Sequence, residues 1–113
     1  MVGAKDAEFG REGYSEQNAG YVMAHVWSMA QELGYGNHFV NIASGPTIDD
    51  HLYVNQATGI PMIDIIQFDR TRGFAHYWHT LKDDMSTIHK PTLKAVGTTM
   101  MNLLFNPPFE INQ

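Results

Sequence analysis

Residues 59–66 read Gly-Ile-Pro-Met-Ile-Asp-Ile-Ile. After the glycine, apolar side chains fall on both faces of what would be an extended run, and a strand buried on both faces implies a sheet covered by helices. The fold class expected from this stretch is α/β.

Upstream of it, Ala19, Val22, Met23, Val26, Trp27, Ala30 and Leu33 recur at intervals of three and four, which predicts an amphipathic helix over 15–33. Ser15 is suited to cap its start and Gly34 its end. A short strand is expected at 38–42 and a loop containing Ser44-Gly45-Pro46 at 43–47. A short helix should begin at Asp49 or Asp50 and run to Ala57, where Gly59 breaks it. Downstream, residues 67–82 form a long irregular stretch rich in aromatics, and long loops in compact domains are commonly functional. Pro91 fits the first turn of a last helix. Its stripe of Leu93, Val96, Gly97, Met100, Met101 and Leu104 ends before Asn106-Pro107-Pro108. The order of helix, strand, short helix, strand, long loop and helix matches part of a three-layer sandwich.

The chain has 113 residues, 43% of them hydrophobic, which is the composition of one small domain. Its net charge of -5, with no basic run, argues against nucleic acid or an anionic membrane as the main partner. The absence of cysteine excludes a disulfide framework and cysteine-ligated zinc, and leaves the compartment open. The start, Met1 to Asp6, carries neither the basic nor the apolar region of an export signal, and no apolar stretch has the length of a membrane span.

The residues able to carry chemistry cluster in two places. Trp78-His79-Thr80, followed by Asp83, sits in the aromatic loop, where an imidazole can project into a cleft at the carboxyl end of a sheet. On position alone His79 is either a metal ligand or a structural histidine. Asp49 and Asp50 are adjacent, so on a helix they point about 100 degrees apart and do not easily share one metal. One of them reads as a cap; the sharper reading places Asp50 beside a pocket, sharing a proton with a substrate group or a neighbouring acid. His51, in the first turn, reads more readily as a packing or hydrogen-bonding residue than as a ligand. No two histidines have the helical i, i+4 spacing of a zinc-peptidase motif, and there is no nucleophile elbow or phosphate loop. The seven methionines read as gap-filling core residues.

Taken in order, Met1-Val2-Gly3-Ala4-Lys5, Asp49-Asp50-His51 to Asn55, Gly59-Ile60-Pro61, and Tyr77-Trp78-His79-Thr80 to Asp83 and Ile88 resemble the carboxyl-terminal part of peptidase family M28. That family holds zinc exopeptidases, among them aminopeptidases, and the related glutaminyl cyclases. The resemblance runs from Met1 to about Phe105. It implies that His79 is the last zinc ligand, that Asp50 belongs to the active-site hydrogen-bond network and that Trp78 lines the substrate pocket. Asp83 and Ile88 would support the histidine loop.

The resemblance also implies a departure. The family's other ligands and its general-base glutamate come from a His-x-Asp motif, a Glu-Glu pair and an aspartate that would stand just before Met1. The expectation is therefore one partial M28-like domain over 1–113. Its intact parent would use zinc on peptide substrates, while this chain alone would hold no zinc stably and be inactive, since catalytic zinc takes three protein ligands. A sheet edge and an apolar helix face left uncovered predict a homo-oligomer. The alternative is a non-catalytic oligomerising or binding module on the same scaffold.

Overall fold

A computed structural model describes residues 2–70 and 80–108. Along the chain come strand β1 (Phe9–Glu12), helix α1 (Gly13–Glu32), strand β2 (Phe39–Ser44), helix α2 (Asp50–Thr58) and helix α3 (Lys90–Phe105), with a 3-10 turn at Met85–Thr87 before the last helix. β1 and β2 pair in parallel, and α1, the crossover between them, packs on both strands while α3 packs against α1. The α/β expectation holds.

The core forms where the apolar stripe of α1 meets the sheet. Met23, Val26, Trp27 and Ala30 are buried against Phe9 and Phe39, and the Phe39 ring makes edge contacts with both Phe9 and Trp27 at centroid separations of 5.2 Å. The Trp27 indole N–H donates to the Val40 carbonyl at 3.0 Å, which pins the helix across the strand. Ala7 and Phe9 are fully buried, although nothing in the four residues Phe9-Gly10-Arg11-Glu12 alternates as a strand should. The ladder slips between Phe9 and Arg11, where a Cβ on Gly10 would stand 3.0 Å from the Ile42 carbonyl oxygen and 3.0 Å from the Phe68 ring. Glycine is what lets these backbones approach there.

α1 differs from expectation at its start and in its middle. Its cap is Glu12, whose carboxylate accepts from Tyr14 N and Ser15 N, so Ser15 sits at the third helical position. A glutamate is long enough to fold back over the first turn and satisfy two of its orphan donors. Ala19, buried and immediately before Gly20, has φ -144° and ψ 40°, which kinks the helix. α2 follows expectation closely: Asp49 caps it through Asp50 N, and Gly59 ends it at φ 70°, a left-handed conformation that glycine adopts without penalty.

The expected strand at 60–66 forms no ladder among the described residues; Ile63 and Ile65 pack against the core, and Gln67 just beyond the segment bridges Phe9. Side chains take the backbone groups instead. Asn55 Nδ2 donates to the Met62 carbonyl at 2.9 Å and its Oδ1 accepts from Met62 N at 3.1 Å, while Asp64 N donates to Ser15 Oγ at 2.8 Å. An asparagine amide mimics a neighbouring peptide, so the segment stays extended without a partner strand.

α3 is rotated from the expected stripe. Thr92, Ala95 and Thr99 are buried, with Val96, Met100 and Leu103 packed on the core, whereas Leu93, Met101, Leu104 and Phe105 face outward. Its approach is fixed by the chain start: His89 N donates to the Gly3 carbonyl at 2.6 Å, and Ala4 bridges Ile88. The methionines are mixed rather than a core set, since Met23 is buried but Met62, Met85 and Met101 are exposed.

Candidate functional site

The end of β1 delivers Glu12 into the interior with 0% exposure. A charge there is tolerated only if every lone pair finds a donor. Oε1 accepts from Ser15 N at 2.9 Å, Ser15 Oγ at 2.7 Å and His51 Nε2 at 2.6 Å; Oε2 accepts from Tyr14 N at 2.9 Å and Thr47 N at 2.7 Å. Burial alone would raise this carboxyl, but the N–H groups of Thr47 and Tyr14, with both donors of Ser15, outweigh it and hold Glu12 below its usual range. Glu12 is thus an ionised hub joining β1, the start of α1, the 45–49 loop and α2.

His51, 2% exposed, lies between two acids. Its Nε2 side faces Glu12, and its Nδ1 stands 3.7 Å from Asp64 Oδ2 on the extended segment. Desolvation raises the Asp64 carboxyl above its usual range; His51 opposes this, and the charges of Asp49 and Glu12 add to it. The reading of His51 as a hydrogen-bonding residue holds.

Asp50, the first residue of α2, is exposed, and its N–H donates to Asp49 Oδ1 at 2.8 Å. The structure therefore gives Asp49 the cap and leaves the Asp50 carboxylate outside the buried trio. Trp78 and His79 lie outside the described residues. The turn that follows them closes through Asp83 N to the Thr80 carbonyl at 3.1 Å, and Ile88 bridges Ala4.

A cavity of about 470 Å³ opens at the carboxyl end of β2, lined by Ser44, Pro46, Thr47, Phe68 and Arg70 among others. This is where open α/β sheets place their ligands. Its walls are braced from behind: Thr47 by Glu12, and Arg70 by a two-bond contact with Glu8 at 3.0 and 2.9 Å. Sequence reasoning missed Glu12, although a glutamate three residues before a serine at a helix start is a recognisable signal, the reverse of the usual Ser-x-x-Glu capping pair.

Among the described residues no three histidine or acidic side chains converge to hold a metal ion. The Glu12–His51–Asp64 trio does not fit zinc, because the Glu12 oxygens are saturated by donors and one His51 nitrogen is spent on them. Among the described residues no helix is long and apolar enough to cross a membrane.

The architecture is that of zinc-dependent exopeptidases and glutaminyl cyclases, as three solved structures show. Porphyromonas gingivalis glutaminyl cyclase is 43% identical and superposes with a TM-score of 0.90, the match covering 93% of this chain and 39% of that one. Tannerella forsythia glutaminyl cyclase is 45% identical at a TM-score of 0.91, covering 94% and 37%. A Zn-dependent exopeptidase from Parabacteroides distasonis is 48% identical at 0.89, covering 94% and 37%. The chain belongs to peptidase family M28, whose model matches residues 1–104. It spans well under half the length of these solved relatives. No curated protein is a significant match to the sequence.

Proposed function

We propose that this chain supplies one wall of a zinc-dependent exopeptidase or glutaminyl cyclase site acting on peptides. The observation that carries the reading is the family match over residues 1–104, with both cyclases and an exopeptidase among the solved relatives. In this reading His79 is a zinc ligand, Trp78 lines the substrate pocket, and Asp50, presented on the exposed first turn of α2, exchanges a proton with a substrate group. Zinc would supply the electrophile that polarises a carbonyl. What the described residues contribute is placement: Glu12 and His51 fix the start of α2, and with it Asp50, against the sheet.

One ligand does not make a catalytic zinc site, so the purified chain should neither release amino acids nor cyclise amino-terminal glutamine when zinc is added. Zinc titration followed by NMR of the histidine imidazoles should perturb His79 first, and His79→Ala should remove that response. Turnover by the chain alone overturns the shared-site reading; a zinc response that survives His79→Ala overturns the assignment of the ligand.

A second reading, a non-catalytic oligomerising module on the same fold, is favoured by the outward apolar face of α3, where Leu104 is 75% and Phe105 79% exposed. Faces of this kind pair with a second copy in many homo-oligomers.

A further inference from the structure

Between His51 and Asp64 the polar atoms do not add up. His51 Nε2 donates to an ionised Glu12, so that nitrogen carries a proton. His51 Nδ1 and Asp64 Oδ2 face each other at 3.7 Å, both buried, and neither has a hydrogen-bond partner among the described residues. If the imidazole is neutral and the carboxylate ionised, two acceptors are buried against each other, an arrangement proteins avoid. A single proton on either atom turns the same pair into donor and acceptor, and closing the gap by about 1 Å makes an ordinary charge-assisted bond.

We propose that the Glu12–His51–Asp64 trio holds one extra proton, shared between His51 Nδ1 and Asp64 Oδ2, and that its loss loosens the joint between α2 and the extended segment. The charges acting on Asp64 besides His51 are two acids and the amino-terminal ammonium, and the ammonium opposes the acids. Glu12 comes from β1 and Asp49 from the cap of α2, and both charges favour keeping the proton in place. The Ser15 hydroxyl, which accepts from the Asp64 backbone N–H and donates to Glu12, ties the Asp64 backbone to the Glu12 carboxylate without adding charge. Whether the proton sits on imidazole or carboxyl, it belongs to the pair, and the two groups titrate together.

The sign of the linkage follows. The open chain carries that proton on a histidine, which gives it up near its ordinary value of about 6.5, while its aspartate is ionised above 3.8. Between those two values the stabilisation is fully present, and it is lost as pH rises from the histidine value through the folded midpoint of the pair. Deprotonated, the joint would carry Glu12, Asp64 and Asp49 around a neutral imidazole, and their repulsion acts directly behind Asp50. None of this depends on the activity proposed above.

The test is an NMR titration of the full chain, following the His51 ring nitrogens and the Asp64 carboxyl carbon on one sample from about pH 5 to about pH 9. The two should move with one common midpoint, above the ordinary aspartate range, and Asp64→Asn should abolish the His51 step while leaving its Nε2 proton in place. Asp64 titrating as an ordinary aspartate with His51 unmoved overturns the proposal. So does a His51 step unchanged in Asp64→Asn. The wild-type titration decides the question even if that variant fails to fold.

Discussion

Glu12 and Phe105 occupy opposite places from those hydropathy would give them. The carboxylate is wholly buried and the phenyl ring is 79% exposed. Around Glu12, five donors from three segments compensate the lost hydration, so burying the charge fixes geometry. At the end of α3, apolar side chains face outward because the helix turns its threonines and alanine inward, where Thr99 satisfies its hydroxyl on the Ala95 carbonyl at 2.8 Å. The fold therefore places a polar junction inside and leaves part of its apolar surface exposed. That division can be broken or sharpened by substitution.

The largest effect is expected at the junction. Glu12→Ala strands His51 and four further donors in the interior, and removing one member of a buried pair typically costs about 3–5 kcal/mol, measurable by urea unfolding. A loss below about 1 kcal/mol would mean that water replaces the carboxylate and that the hub is not structural. Glu12 also sets the acid limb. Its stabilisation is present above the ordinary value of 4.5 and disappears as pH falls through its lowered folded value, so Glu12→Gln should flatten stability on that side.

Asn55→Ala should cost less, about 1–2 kcal/mol, because two hydrogen bonds tie α2 to the extended segment through one half-buried amide, which also donates to the His51 carbonyl within the helix. Hydrogen exchange at Met62 would report the release. The smallest effect on intrachain stability should come from Leu104→Ser with Phe105→Ser, within about 0.5 kcal/mol. If α3 is an association face, the same pair lowers the sedimentation mass toward the monomer; an unaltered mass removes that role.

Legibility in the sequence followed the range of the interactions. The helix limits rest on local chemistry: an aspartate of the 49–50 pair as cap, Gly59 as stop and Pro91 in a first turn all stand as expected, and the structure makes Asp49 the cap. β1 was not legible, because its burial comes from partners about thirty residues away and its Gly-Arg-Glu core lacks any strand pattern. Residues 60–66 have the composition of a buried strand, yet the side chains of Asn55 and Ser15 take hydrogen bonds that a neighbouring strand would have made. Of the site residues, Asp50 is found at the exposed head of α2, His51 in the hydrogen-bonding role expected of it, and His79 and Trp78 lie beyond the described residues. Glu12 was not among the residues singled out in the sequence, because its donors come from Thr47 and His51 as well as from its own helix.

The bridge from Ala4 to Ile88, with His89 N on the Gly3 carbonyl, has a kinetic meaning. Gly3 and Ala4 find their hydrogen-bond partners among residues made some eighty positions later, and Phe9 waits for Gln67 in the same way. Contacts this distant in sequence must close long loops before they return any energy, which slows folding more than it weakens the finished state. During that wait the α1 crossover, with its Met23–Val26–Trp27 face, is a long local element that can form early, and residues near 4 and near 96–103 later pack on it.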